Sequence, residues 1–299
     1  MALVLKRSID LPAHPSGGFD HGDVHLQSGQ VFLAHTAMGA VEVVDGLRGE
    51  HRATIPGCPE ASGVLCAQDE GLVFAAARGA GKVLVIAVAS GDVIEEIVVG
   101  PKPNGLAWDP RRKRLLVADV QDFRARLVDP HAASVVTDTE LPGRPRWCVY
   151  DSAGDRFLVN IRDPACVAVL AADTAAVRAR WPVSSTGPHG LDLDPEHGRA
   201  FVACDGGRVA TLDLKTGREV AGVAIAGEPD AIWYNVNRSL LYVAIGSPGV
   251  VDVVDTREMA LAQEVATEVG AHTTAFDSNR QLLYVFLPRS CGATVYEEK

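Results

Sequence analysis

Histidine, carboxylate and arginine side chains recur at one kind of place in this chain. His21, Glu60, Asn104, Arg146, His189, Asp230 and His272 each fall two to four residues after a glycine, and those glycines (Gly17, Gly57, Gly100, Gly143, Gly187, Gly227 and Gly270) stand 40 to 44 residues apart. Imidazoles and carboxylates converging on one point are the donor set of Zn²⁺, Fe²⁺ or Mn²⁺ sites that leave a position open for water or substrate. A divalent metal there would acidify its water or polarise a carbonyl. The expected ligands are His21, His189 and His272 with Glu60 or Asp230, the other carboxylate serving as general base. Arg146, with Arg144, Arg162 and Arg124 from neighbouring loops, would clamp a carboxylate or phosphate. Without a metal, His272 or His189 could act as acid and base, and a ring with no chemistry at all would be a ligand-binding or protein-interaction scaffold.

Residues so far apart in sequence meet only if a repeated element delivers them to one axis. The stretch from Gly187 to Gly227 shows that element. Leu191–Leu193 alternates, a Pro-Glu-His-Gly turn follows, Ala200–Ala203 is apolar, Asp205-Gly206-Gly207 turns, Val209–Leu214 alternates, Lys215-Thr216-Gly217 turns, and Val220–Ile225 alternates again. Four short strands with turn signals and no helical period predict an antiparallel four-stranded sheet that needs copies on both faces. The glycine period matches a four-stranded propeller blade, and seven marks predict an all-β, seven-bladed β-propeller.

The expected blades are 19–55, 58–99, 103–141, 145–183, 188–225, 229–267 and 271–296, in one domain covering 1–299. The last segment has only three strands, while Val4–Leu11 precedes the first mark and alternates like an outer strand. It is therefore expected to complete the last blade and close the ring. The second strands read VFLA, LVFAAA, LLVA, FLVN, AFVA, LLYVA and LLYVF, near-continuous apolar runs suited to burial on both faces.

The segment 239–272, with its Tyr-Val strand, Val-rich strand ending in Asp-Thr and closing glycine, resembles the YVTN repeat of prokaryotic seven-bladed propellers. Leu283-Tyr284-Val285-Phe286 repeats its core, and weaker versions cover most of the chain; the motif's asparagine survives only in Val159-Asn160. The resemblance implies the same fold and carries no particular chemistry with it.

Composition bounds the rest. The 299 residues are 47% hydrophobic and 22% charged, which fits a packed globule. A net charge of −10 argues against nucleic-acid or anionic-membrane partners. The N-terminus lacks the order of a signal peptide and no apolar run is long enough to span a membrane, so a cytoplasmic, monomeric protein is expected. Cys58, Cys66, Cys148, Cys166, Cys204 and Cys291 show no metal-knuckle spacing and are expected as small buried hydrophobes, with Cys291 a secondary candidate for a ligand or nucleophile near the histidine ring. Gly79-Ala80-Gly81-Lys82 predicts a hairpin turn rather than a phosphate loop, and no Gly-x-Ser-x-Gly elbow is present. His25 or Asp23, on the same strand face as His21, could replace a distant ligand. A small anionic molecule is the expected ligand, with no organic cofactor.

Overall fold

In the computed structural model, which describes residues 2–15 and 18–299, twenty-eight strands and one short 3₁₀ turn (Thr36–Met38) account for the regular structure. Gly17, the first of the glycine marks, lies outside the described residues. The strands form seven separate four-stranded antiparallel sheets, six of them running outward in chain order.

The innermost strands are β2 (Gly22–His25), β6 (Ala61–Ala67), β10 (Pro103–Asp109), β14 (Pro145–Asp151), β18 (Pro188–Asp194), β22 (Pro229–Asn235) and β26 (Thr274–Asp277). Each contacts the next, and β26 contacts β2, so they enclose a central channel. The seventh sheet is built from both chain ends. Strand β1 (Leu3–Asp10) pairs antiparallel with β28 (Gly292–Glu298) from Leu3↔Glu298 to Asp10↔Gly292. This closes the ring, and Leu3, Ile9 and Leu11 are buried against it.

Between blades the core is layered. Phe32, Phe74, Phe201, Tyr242 and Tyr284 occupy corresponding places in their second strands and are fully buried, each filling the space toward a neighbouring sheet. Hairpin turns are fixed by aspartate. Asp109 accepts the amides of Arg111 (2.9 Å) and Arg112 (3.2 Å), and Asp277 those of Asn279 (3.1 Å) and Arg280 (3.0 Å). These are Asx turns, in which a short carboxylate satisfies two amides that the reversing chain cannot pair. No helix among the described residues is long and apolar enough to cross a membrane.

The innermost strands approach so closely that side chains are excluded at specific points. A Cβ at Gly105 would run into the Arg146 carbonyl of the next blade, and its next nearest neighbour would be Cys148 Sγ at 2.7 Å. Gly105→Ala is therefore expected to lower stability by about 2–3 kcal/mol, the usual range for overpacking, measured as a shift of the denaturant midpoint at unchanged slope.

Candidate functional site

Strand register identifies the residue that each blade presents at the channel mouth. Pro103, Pro145, Pro188 and Pro229 open their inner strands and pair with the ends of the second strands, and Ala61 holds the same place in blade two. The next residue in each case is Ser62, Asn104, Arg146, His189 or Asp230. Asp20 and His272 are their counterparts in blades one and seven. Five of the seven expected mouth residues thus stand where the glycine count puts them. Two do not. Blade one presents Asp20, with His21 one step further along the strand, and blade two presents Ser62. Glu60 remains in the preceding loop at φ 49, its side chain 51% exposed and paired with Lys102 Nζ (2.5 Å) and Arg78 Nε (3.8 Å).

The mouth encloses about 200 Å³ bounded by Asp20, His21, Arg78, Asn104, Arg146, Trp147, His189, Asp230 and His272. Asp230 is its centre. Its Oδ2 lies 2.6 Å from His272 Nδ1 and its Oδ1 lies 3.3 Å from His189 Nε2. The other nitrogen of His189 is 2.9 Å from Asp205 Oδ1, and Asp205 Oδ2 meets Arg162 at 2.7 Å. A continuous line of alternating basic and acidic side chains therefore runs Arg162, Asp205, His189, Asp230, His272. A second line joins His21 to Asp20 (3.4 Å) and Asp20 to Arg78 (3.6 Å), whose other nitrogen donates to Asn104 Oδ1 at 3.0 Å.

Arg146 has no such partner. It forms no ion pair among the described residues, and its Nε is buried without a hydrogen bond. Burial, reinforced by the nearby charges of Arg144 and Arg162, pulls its guanidinium below the usual range, with Asp230 and Asp205 acting in the opposite sense. Arg144 and Arg162 line an adjoining outer hollow with Phe123 and Asp163, whereas Arg124 turns away to Asp138 (2.5 Å) on the blade's outer strand.

The titration of the imidazoles follows from their neighbours. Burial lowers His272, but its hydrogen bond to Asp230 and the charges of Asp230 and Asp20 more than offset this and leave it raised. Burial dominates at His21, which is lowered despite Asp20 and Asp230. Asp230 itself is buried, yet the charges of His189, His272 and His21 and the His272 hydrogen bond hold it well below the usual carboxylate range.

The donor set bears on metal binding. Asp230 Oδ2 is taken by His272 and His189 Nδ1 by Asp205, while Asp230 Oδ1 has His189 Nε2 at 3.3 Å but is buried without a hydrogen bond, and Glu60 is outside the mouth. Among the described residues, no group of three or more His, Cys, Asp or Glu side chains is arranged to hold a metal ion. His25 has Ser28 at its Nδ1 (2.9 Å) and its Nε2 buried without a hydrogen bond, and Asp23 accepts the amides of Val24 and Cys66. All six cysteines are free and buried. Cys291 Sγ faces the His14 and Pro288 carbonyls at 3.8 and 3.9 Å.

Beyond His21 and Trp147, whose rings meet at a tilt of 32° with centroids 4.2 Å apart, the channel widens again into a chamber of about 510 Å³. Asp23 and Asp192 line it. Burial lifts Asp23 to about 7 and Asp192 to about 6. Both therefore hold protons more tightly folded than unfolded, and folding weakens as pH rises from about 4, where the unfolded carboxyls ionise, to about 7. His272 acts in the same sense, since a raised folded value gives stability present below 6.5 and lost as pH rises through that value. His21, lowered, opposes them as pH falls below 6.5. The expected sum is a melting temperature higher at about pH 5 than at about pH 8, by about 5 °C, read by scanning calorimetry.

Asp20, Asp205, Arg78 and Trp147 are the site residues that glycine spacing does not find. Asp205 comes from a turn between second and third strands, and Trp147 follows a mouth position rather than occupying one.

No family model matches the chain, and no curated protein matches it. Among solved structures the chain is similar to hydrazine synthase of Kuenenia stuttgartiensis, at 15% identity and a TM-score of 0.85, over 96% of this chain and 97% of that one. At that identity the likeness carries the fold alone, and the architecture is that of a seven-bladed β-propeller closed by its own N-terminal strand.

Proposed function

We propose that the axial mouth binds a small organic anion, a carboxylate, and moves a proton on it. The observation that supports this most is Arg146, a half-buried arginine without an ion pair whose Nε is buried without a hydrogen bond, in the same small cavity as a histidine whose Nδ1 is held by a carboxylate. A guanidinium in such a place gains most from a ligand carboxylate, which accepts two parallel N–H bonds from it. His272 then has Nε2 turned to the ligand, with Asp230 fixing the tautomer and stabilising the imidazolium that forms. This is the arrangement of an oriented general base. Asp230 serves as orienting carboxylate rather than as base, and Glu60 takes no part.

The chemistry available is removal of a proton next to the bound carboxylate, with Arg146 stabilising the negative charge that develops on its oxygens. That is the first half of a lyase or isomerase reaction. The test is solvent-deuterium exchange into a panel of small hydroxy and keto acids, followed by proton NMR. His272→Gln should reduce exchange at least about 100-fold while leaving the melting temperature within a few degrees. Binding without exchange in the unaltered protein would reduce the role to ligand capture. A divalent ion at the same cluster would have to displace the pairs of Asp230 and His189. Stoichiometric uptake of Zn²⁺, Fe²⁺ or Mn²⁺, lost in His189→Ala, would replace the metal-free mechanism with a metal-assisted one.

A further inference from the structure

The chamber beyond His21 and Trp147 is more apolar than the mouth and lacks its arginines. Its wall is apolar and aromatic, with Trp108, Trp147, Trp233 and Tyr150 among Val64, Leu106, Leu191 and Ile232. Its charged side chains are Asp23, Asp69 and Asp192, and neither lysine nor arginine is among its lining residues. Its volume lies within the usual range for small-molecule pockets, and three of the chain's four tryptophans face it.

The carboxylates are rigidly held. Asp23 accepts the amides of Val24 (2.7 Å) and Cys66 (2.8 Å), Asp192 those of Leu193 (2.8 Å) and Tyr234 (2.6 Å), and Asp69 the indole N–H of Trp108 (2.8 Å). Asp23 and Asp192 hold corresponding strand positions, and each ties its own blade to the next. The other five blades place Leu65, Ala107, Val149, Trp233 and Ala275 there, with no carboxylate at that strand position. The fold does not require these two charges.

We propose that this chamber is a binding site for an organic monocation, an arylalkyl or quaternary ammonium, separate from the anion site at the mouth. Tryptophan faces attract such a cation, and the attraction grows where water is excluded. Asp23 and Asp192, on β2 and β18, supply the counter-charge, with Asp69 from the turn after β6. Tyr150 on β14 completes an aromatic wall that a flat ligand can stack upon. The remaining titratable groups facing the chamber are His21, Cys66, Cys148 and Tyr150, whose phenol burial pushes up to about 12. Burial lowers His21 and raises both thiols, which leaves them uncharged at neutral pH. Burial lifts both aspartates, and the charge of a bound ammonium would act in the opposite sense.

The test is tryptophan fluorescence titration with 2-phenylethylamine and benzyltrimethylammonium, against 2-phenylethanol and 3-phenylpropionate, which share the ring but are neutral or anionic. Both cations should produce saturable changes at about pH 8 with affinities at least about tenfold above those of the alcohol and the acid. That preference should shrink at least about tenfold at about pH 5, where Asp23 and Asp192 are protonated. Asp192→Asn should weaken the cations about tenfold and leave the alcohol unchanged. Should that variant fail to fold, the ligand series on the unaltered protein decides. Equal affinity for the alcohol, the acid and the cations, or no saturable response to either cation, would overturn the proposal.

Discussion

Removal of residues 1–11 is expected to abolish cooperative folding. Strand β1 buries Leu3 and Ile9, Leu11 follows it into the core, and the strand satisfies one whole edge of β28. Apolar burial of those three side chains alone contributes on the order of 5 kcal/mol, a large share of the net stability of a domain. The exposed edge of β28 would also become a template for pairing with other chains. The truncated protein should aggregate or show a broad, low-temperature transition, and addition of a peptide with the sequence of residues 1–11 should partly restore the melt. A truncated protein that melts sharply at the parent temperature would show that the ring does not depend on this closure.

Asp230→Asn is expected to have the largest effect on the site. The substitution keeps the shape but removes the charge shared by His189 and His272. Burial would then be opposed at His272 only by the charge of Asp20, and its imidazole should drop from its raised value, as followed by NMR titration of its ring protons. Proton exchange on a bound carboxylate should fall at least about 100-fold, because an uncharged partner no longer stabilises the imidazolium. Stability should fall by about 2–3 kcal/mol, less than the loss of a fully buried pair, since both side chains keep some access to solvent. An unchanged His272 titration would mean that Asp230 does not control it.

The architecture is legible in the sequence because each blade repeats the same physical demands. Its second strand is covered on both faces and is therefore uniformly apolar, its turns begin with aspartate, and its closing glycine recurs at an even interval. The unmatched alternating segment at Val4–Leu11 and the three-strand remainder at the other end are complementary, so even the closure can be inferred. The mouth is legible where the strand-opening proline comes immediately before the mouth residue, as with Asn104, Arg146, His189 and Asp230. Counting from glycine goes astray where loop length changes. In blade two, Pro59 sits ahead of the strand rather than at its start, so the count stops at Glu60 instead of Ser62. In blade one no proline marks the strand, and the count overshoots Asp20 by one residue.

Pairing within the site was not legible at all. Which nitrogen of His189 meets Asp230, and that Asp205 reaches it from another turn, depends on side-chain direction across the channel. The lower chamber is a different case. Its volume depends on how His21 and Trp147 meet, which spacing does not reveal, yet its charge could have been noticed. Asp23 and Asp192 stand at a strand position where the other blades carry apolar side chains.

The most direct test of the central claim is isothermal titration of small carboxylates, acetate, glycolate, pyruvate and malonate, and of inorganic phosphate, into the unaltered protein and Arg146→Ala. At least one carboxylate should bind with a stoichiometry of about one, and removal of the guanidinium should weaken it at least about tenfold with the fold intact. Carboxylates that bind equally well to both proteins would contradict the assignment of Arg146 as the anion's partner, and with it the proposed role of the axial mouth.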